Sequence, residues 1–197
     1  MRISRRRFLE LALGLTVLAA CTRRAPEGDG QILPATPACG DGDDATPPQT
    51  AGPFFKPASP ERSSLVESDT VGTLLIVAGS VLATDCRPVA GALLDFWQTD
   101  DAGVYDNQGF GFRGHQFADD QGRWELRTII PGLYPGRTRH IHVNVQAPDG
   151  AVLTTQLYFP AEPTNEVDAI FDPALLMEAE GTVDGQRAGF TFVLDVS

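Results

Sequence analysis

Between Thr73 and Val196 the sequence is cut into apolar runs too short and too closely spaced for a helical protein. The runs are Thr73–Ala83, Ala92–Gln98, Arg123–Ile129, Arg139–Ala147, Ala151–Phe159 and Ala188–Val196, each of 7 to 11 residues. They are rich in β-branched and aromatic side chains. Turn chemistry closes them: "CRPVAG", "DDQG", "PGLYPG", "APDG" and "VDGQ". Regular spacing of this kind favours an all-β, antiparallel β-sandwich. One stretch, Asp172–Glu180, reads as a short helix, with Asp172 as N-cap and Pro173 in the first turn.

The chain ahead of these runs is of a different kind. It opens "MRISRRRFLELALGLTVLAAC", a basic start followed by a short apolar run ending at Ala20. That run is too short to span a bilayer as an ordinary helix and reads as a signal peptide. The twin arginine before Phe8 and Leu9 is the pattern of twin-arginine export, which carries folded proteins. "LAAC" resembles a bacterial lipoprotein box with Cys21 as the acylated residue, so the expected address is a membrane-anchored lipoprotein facing the periplasm or the cell exterior. Residues 21–48 are rich in Pro, Gly and Asp and read as a flexible tether, leaving residues 49–197 as one folded domain. Residues 1–20 hold four arginines and one glutamate, so their removal takes the formal charge from −11 to −14. So acidic a body is repelled by phosphate backbones, which argues against nucleic-acid binding. With Cys21 lipidated, Cys39 and Cys86 remain, an even pair that reads as one disulfide outside the cytoplasm.

The chain has only three histidines, and two of them, His140 and His142, sit one residue apart in "YPGRTRHIH". In a strand, alternate side chains share a face. His140, His142, Asn144 and Gln146 then lie on one side, with Ile141, Val143, Val145 and Ala147 on the core side. Two imidazoles about 7 Å apart along a strand can bind one ion, although the wet side of an antiparallel strand alternates in the same way. The nearest third donor is Tyr134, and a second phenol, Tyr105, lies just past another strand; the remaining tyrosine, Tyr158, reads as a packing residue. Phenolate is a hard anionic donor, costly to form without a strongly Lewis-acidic ion. Two phenolates with two imidazoles suit ferric iron better than zinc or calcium.

On these residues the chain resembles the intradiol ring-cleavage dioxygenases (protocatechuate 3,4-dioxygenase-like and catechol dioxygenase-like). These are non-haem Fe(III) enzymes with a prealbumin-like β-sandwich. The resemblance runs from about Gln49 to Asp172 and is carried by "QTAGPFF", "CRPVAGALLDFWQTDDAGVY", the segment Phe112–Val145 and "TTQLYF". It implies Fe(III) held by Tyr105, Tyr134, His140 and His142, with Tyr134 the ligand that leaves when substrate chelates. It further implies that Arg137 stabilises charge on the reacting ring, that Gln156 stands close behind Arg137, and that Gly52, Pro53 and Phe54 lie near the pocket mouth. The substrates it implies are a catechol and O2, opened between the two hydroxyls to a cis,cis-muconate-type diacid. In the same segments Trp97 reads as core, Asp100 as a turn residue and His115 as a solvated or partly buried imidazole. Two other functions use some of the same residues. One is a non-catalytic exported β-sandwich binding module. The other is a copper protein built on His140 and His142, which would not require Tyr105 and Tyr134 together.

Overall fold

The structure is a computed structural model in which residues 45–182 and 185–196 are described. The expectations for the signal peptide, Cys21, Cys39 and most of the tether fall outside those residues. Among the described residues no helix is long and apolar enough to cross a membrane.

The described residues form eight strands: β1 (Leu74–Ala83), β2 (Leu93–Trp97), β3 (Arg113–Phe117), β4 (Arg123–Ile129), β5 (His140–Gln146), β6 (Val152–Tyr158), β7 (Glu178–Thr182) and β8 (Gly185–Leu194). They form two four-stranded sheets, in the orders β4-β1-β8-β7 and β3-β2-β5-β6. The ladders are antiparallel except β1–β8, which is parallel. Gly79 in β1 lies so close to β8 that an added Cβ would stand 1.8 Å from the Phe190 carbonyl oxygen.

The core fills the space between the sheets. Leu75, Val77 and Val81 of β1, Leu94 and Phe96 of β2, Leu126 of β4 and Phe192 of β8 are all fully or almost fully buried. Phe96 from one sheet meets Trp124 from the other with ring centroids 5.4 Å apart. The edge strands β3, β4 and β6 are met by irregular chain, which removes part of the template for edge-to-edge pairing. Residues 60–65 bond to β3 through His115 and to β4 through Arg127. At the other side Thr46 bonds to Val193 of β8 and Gln49 to Thr154 of β6.

Two elements differ from the sequence reading. β3, "RGHQF", has little strand propensity of its own; it is extended because it pairs along the whole of β2. The short helix expected over Asp172–Glu180 is only a 3-10 turn at Pro173–Leu175, capped by Asp172, whose side chain accepts from Ala174 N. Beyond it, Leu175 and Met177 are buried, Met177 N donates to the Tyr158 carbonyl at 2.9 Å, and Glu178–Thr182 pairs with β8. Sheet pairing here overrides the helical preference of "ALLMEAE".

Gly79→Ala forces a methyl group into the backbone of β8. It is expected to destabilise the fold by about 3 kcal/mol, read as a lowered midpoint in thermal or denaturant unfolding.

Candidate metal centre

β5 carries the two histidines, and alternation holds as the sequence requires. Ile141, Val143 and Val145 are fully buried in the core. The opposite face is not wet at this end: His140 is 5% exposed and His142 2%, whereas Asn144 and Gln146 further along are half-buried. Strand register places Trp97 of β2 and Gln156 of β6 directly on either side of His142, and Tyr158 beside His140. The Trp97 and His142 rings stack at 4.9 Å with their planes almost parallel. Trp97 is buried, as expected, but on the site face and not between the sheets.

Loops from three directions cover this face. The N-terminal strap turns at Gly52, whose φ of +64° favours glycine and whose Cα hydrogen faces His142; an added Cβ would lie 3.6 Å from His142 Cε1. Phe54 follows, stacking on Tyr105 at 4.5 Å and meeting Tyr134 edge-on at 5.3 Å. Pro53 is exposed. Asp100 organises the loop after β2 by accepting from Ala102 N and Val104 N, the turn role expected of it. Gly103, at φ +82°, lets that loop abut the one after β4; a Cβ there would lie 2.2 Å from the Leu133 carbonyl oxygen. The two loops therefore bring in Tyr105 and Tyr134 side by side, with ring centroids 5.8 Å apart.

The four side chains expected from the sequence thus form one cluster. The two imidazole centroids are 4.7 Å apart, Tyr105 is 6.2 Å from His142, and Tyr105 Oη is 3.3 Å from His140 Nε2. His140 Nδ1 lies 2.6 Å from the Thr138 carbonyl and donates to it. That bond fixes the tautomer with the Nε2 lone pair turned to Tyr105, the arrangement a metal-ligating histidine needs. Burial drives both imidazoles towards neutrality: His140 falls to about 4 and His142 well below the usual histidine range, the latter helped by His140 and Arg137. Burial likewise pushes the Tyr105 phenol up to about 12, against the pull of Arg137 and Arg113.

This chemistry fits a small, highly charged cation. Two neutral imidazoles are ready as donors, and His142 Nδ1 is buried without a hydrogen-bond partner. No cluster of three or more His, Cys, Asp or Glu occurs among the described residues, and the side-chain oxygens brought closest to the imidazoles here are phenolic. A buried phenol ionises only against a strong positive charge.

Beside the cluster, Arg137 is bound on two sides. Nε donates to Asp168 Oδ2 at 2.9 Å and Nη2 to Gln156 Oε1 at 2.7 Å. Gln156 therefore stands against Arg137, where the resemblance puts it. Tyr158 does more than pack: its hydroxyl lies within hydrogen-bond reach of Gln49 Oε1, the Ile170 carbonyl and Arg137 Nη2. His115 is on the same sheet face but two strands from His142, beside Ser59 Oγ, which donates to Asp95. Cys86 is disulfide-bonded, while Cys39 lies outside the described residues.

Sequence reasoning missed two residues. Arg113 is buried, donates to the Phe54 carbonyl at 2.7 Å and lies over the Tyr105 ring at 6.0 Å. Asp168 holds Arg137. Nothing in the local sequence couples Asp168 to an arginine 31 positions earlier; only its turn chemistry, a side chain accepting from Ile170 N, was there to be read.

Fold and donors define an all-β sandwich with a phenol–imidazole cluster on the face of one sheet that is turned away from the core. The profile of the family described as dioxygenase matches residues 50–195. The hydroxyquinol 1,2-dioxygenase of Rhizobium sp. strain MTP-10005 is 32% identical over 70% of the chain and 56% of its own length. The 6-chlorohydroxyquinol 1,2-dioxygenase of Cupriavidus pinatubonensis is 29% identical over 97% of the chain and 75% of its own length. Among solved structures, the dioxygenase domain of a dioxygenase carbohydrate-binding protein fusion from Streptomyces sp. SirexAA-E is 60% identical. It covers 78% of this chain and all of that one, with a TM-score of 0.77. The 3-chlorocatechol 1,2-dioxygenase of Rhodococcus opacus 1CP is 29% identical with a TM-score of 0.70, over 76% of this chain and 72% of its own. The chain belongs to the intradiol ring-cleavage dioxygenase family.

The burial of His140 has a consequence for the metal-free protein. The unfolded chain takes up a proton on this residue near the ordinary value of 6.5, the folded chain only near 4. Stability from keeping it neutral is complete above pH 6.5 and is lost as the pH falls towards 4. The melting temperature of the metal-free protein should fall more steeply between pH 7 and 4.5 in wild type than in His140→Gln.

Proposed function

We propose that the protein is a non-haem Fe(III) dioxygenase that opens a catechol between its two hydroxyls, giving a cis,cis-muconate-type diacid. The observation that carries this reading is the meeting of Tyr105, Tyr134, His140 and His142 in one cluster, with Arg137 and Gln156 beside it. Further support is the company the chain keeps: its relatives are named for hydroxyquinol, chlorohydroxyquinol and catechol. It spans about half the length of several of them, and the choice among such substrates is part of the proposal.

Tyr105, Tyr134, His140 and His142 would hold the iron. Ferric iron when bound supplies Lewis acidity towards the catechol hydroxyls and the electronic path by which the ring meets O2. The chain's own residues do the rest. His140 is kept in the ligating tautomer by Thr138. Tyr134 is the less buried phenol, on the loop between β4 and β5 that also carries Arg137, and it would be the one to leave and take a hydroxyl proton from the substrate. Phe54 and Gly52 close the site from the strap and exclude water from the phenols. Arg137 supplies a fixed positive charge where the ring becomes anionic, and Gln156 keeps it there. The copper and zinc readings leave the paired phenols without a purpose.

The N-terminal residues complete the proposal. Twin-arginine export, acylation at Cys21 and a Cys39–Cys86 bridge would place a preloaded enzyme outside the cytoplasm, meeting phenols there.

Metal analysis with oxygen uptake over a panel of catechols tests the function. The expected result is bound iron and one O2 consumed per ring opened. Bound copper or zinc, or iron without uptake on any catechol, would overturn it. Arg137→Ala is expected to bind iron and to lose about 30- to 1000-fold in turnover, since one preorganised charge contact is worth roughly 2–4 kcal/mol at the transition state.

A further inference from the structure

We propose that Asp168 is the positioning residue for Arg137. It spends one edge of the guanidinium on the protein and leaves Nη1 for the anionic ring. The inference rests on the ring-cleavage reading and extends it to a residue outside the ligand set.

The Asp168 side chain is 2% exposed. Its Oδ2 accepts from Arg137 Nε at 2.9 Å and from Thr138 N at 2.8 Å, and its Oδ1 accepts from Ile170 N at 3.1 Å. A solvated ion pair contributes little, but a buried carboxylate accepting three N–H groups fixes what it touches. The second anchor of Arg137 is equally determined. Gln156 Nε2 donates to the Thr50 carbonyl at 3.0 Å, so its Oε1 is the atom turned to Arg137 Nη2. Tyr158 Oη stands 3.4 Å from the same Nη2. Nε and Nη2 are thus committed on one edge of the planar fork, while Nη1 makes no hydrogen bond among the described residues. A guanidinium held along one edge can rotate about neither Nε–Cζ nor its side-chain torsions without breaking both anchors.

Asp168 accepts the Thr138 N–H and not the Thr138 carbonyl that holds His140 Nδ1, so its charge bears on Arg137 from outside the ligand set, as supporting residues of preorganised sites do. Asparagine cannot replace it, because turning its oxygen to Arg137 and Thr138 sets its NH2 against Ile170 N, and the reverse sets NH2 against Arg137.

The test is a mutant cycle in the full-length, iron-loaded protein with Asp168→Asn, Arg137→Ala and the double variant. Asp168→Asn should keep wild-type iron content and resting visible spectrum, and lose about 10- to 100-fold in kcat with KM for a catechol changed less than about threefold. In the Arg137→Ala background it should cost no more than about twofold further. Should Asp168→Asn not accumulate, Asp168→Glu, which keeps the carboxylate but displaces it, reads the same cycle. Turnover within about twofold of wild type, or an equal loss with and without Arg137, would overturn the assignment and leave Asp168 a loop residue. A wild type that opens no catechol sinks the ring-cleavage reading instead. Thermal midpoints of the same four proteins then still decide the pairing, non-additive shifts upholding it and additive shifts overturning it.

Discussion

Two neutral imidazoles buried on the face of a sheet that would normally be wet are the constraint from which the rest of this site follows. An antiparallel strand needs only one buried face, and β5 already has it in Ile141, Val143 and Val145. Covering His140 and His142 as well removes two polar groups from water, and the fold returns only part of that cost through the Thr138 carbonyl and the Tyr105 hydroxyl. One nitrogen of His142 receives nothing. The protein alone leaves such a site under-satisfied, and a cation bound there would have to displace the Tyr105 proton.

The covering is done by chain that also closes the sandwich. Residues 45–56 bond first to β8, then to β6, then lie against His142 and against both phenols. The strap is thus both an edge cover and one wall of the site. Arg113 links the two roles, because it holds the Phe54 carbonyl while facing Tyr105. Anything that loosens the strap from β6 or β8 should be felt at His142, Tyr105 and Tyr134 before it is felt in the core.

Much of this was legible in the residues themselves. Alternation along "RHIHVNVQA" assigns the histidine face and the core face correctly, because period two is a geometric property of any strand. The scarcity of histidine and the presence of Tyr134 and Tyr105 close to predicted strands point to the donor set, and the resemblance to a known family adds Arg137 and Gln156. What escaped is what pairing decides. β3 is a strand only because β2 lies beside it, and Glu178–Thr182 extends along β8 against its own helical preference. Asp168 and Arg113 act through contacts across 31 and 59 positions, to Arg137 and the Phe54 carbonyl, and no local pattern announces a partner that far away. Tyr158 was half legible: its ring packs as "LYF" implies, but its hydroxyl belongs to the arginine's surroundings.

The central claim is that both phenols become ligands of one ferric ion. Resonance Raman spectroscopy of the iron-loaded chain, excited in its visible band, tests it most directly. The account predicts tyrosinate vibrations from two distinct phenolates, one set lost in Tyr105→Phe and the other in Tyr134→Phe. Iron bound without tyrosinate bands, or bands that survive both substitutions, would contradict it.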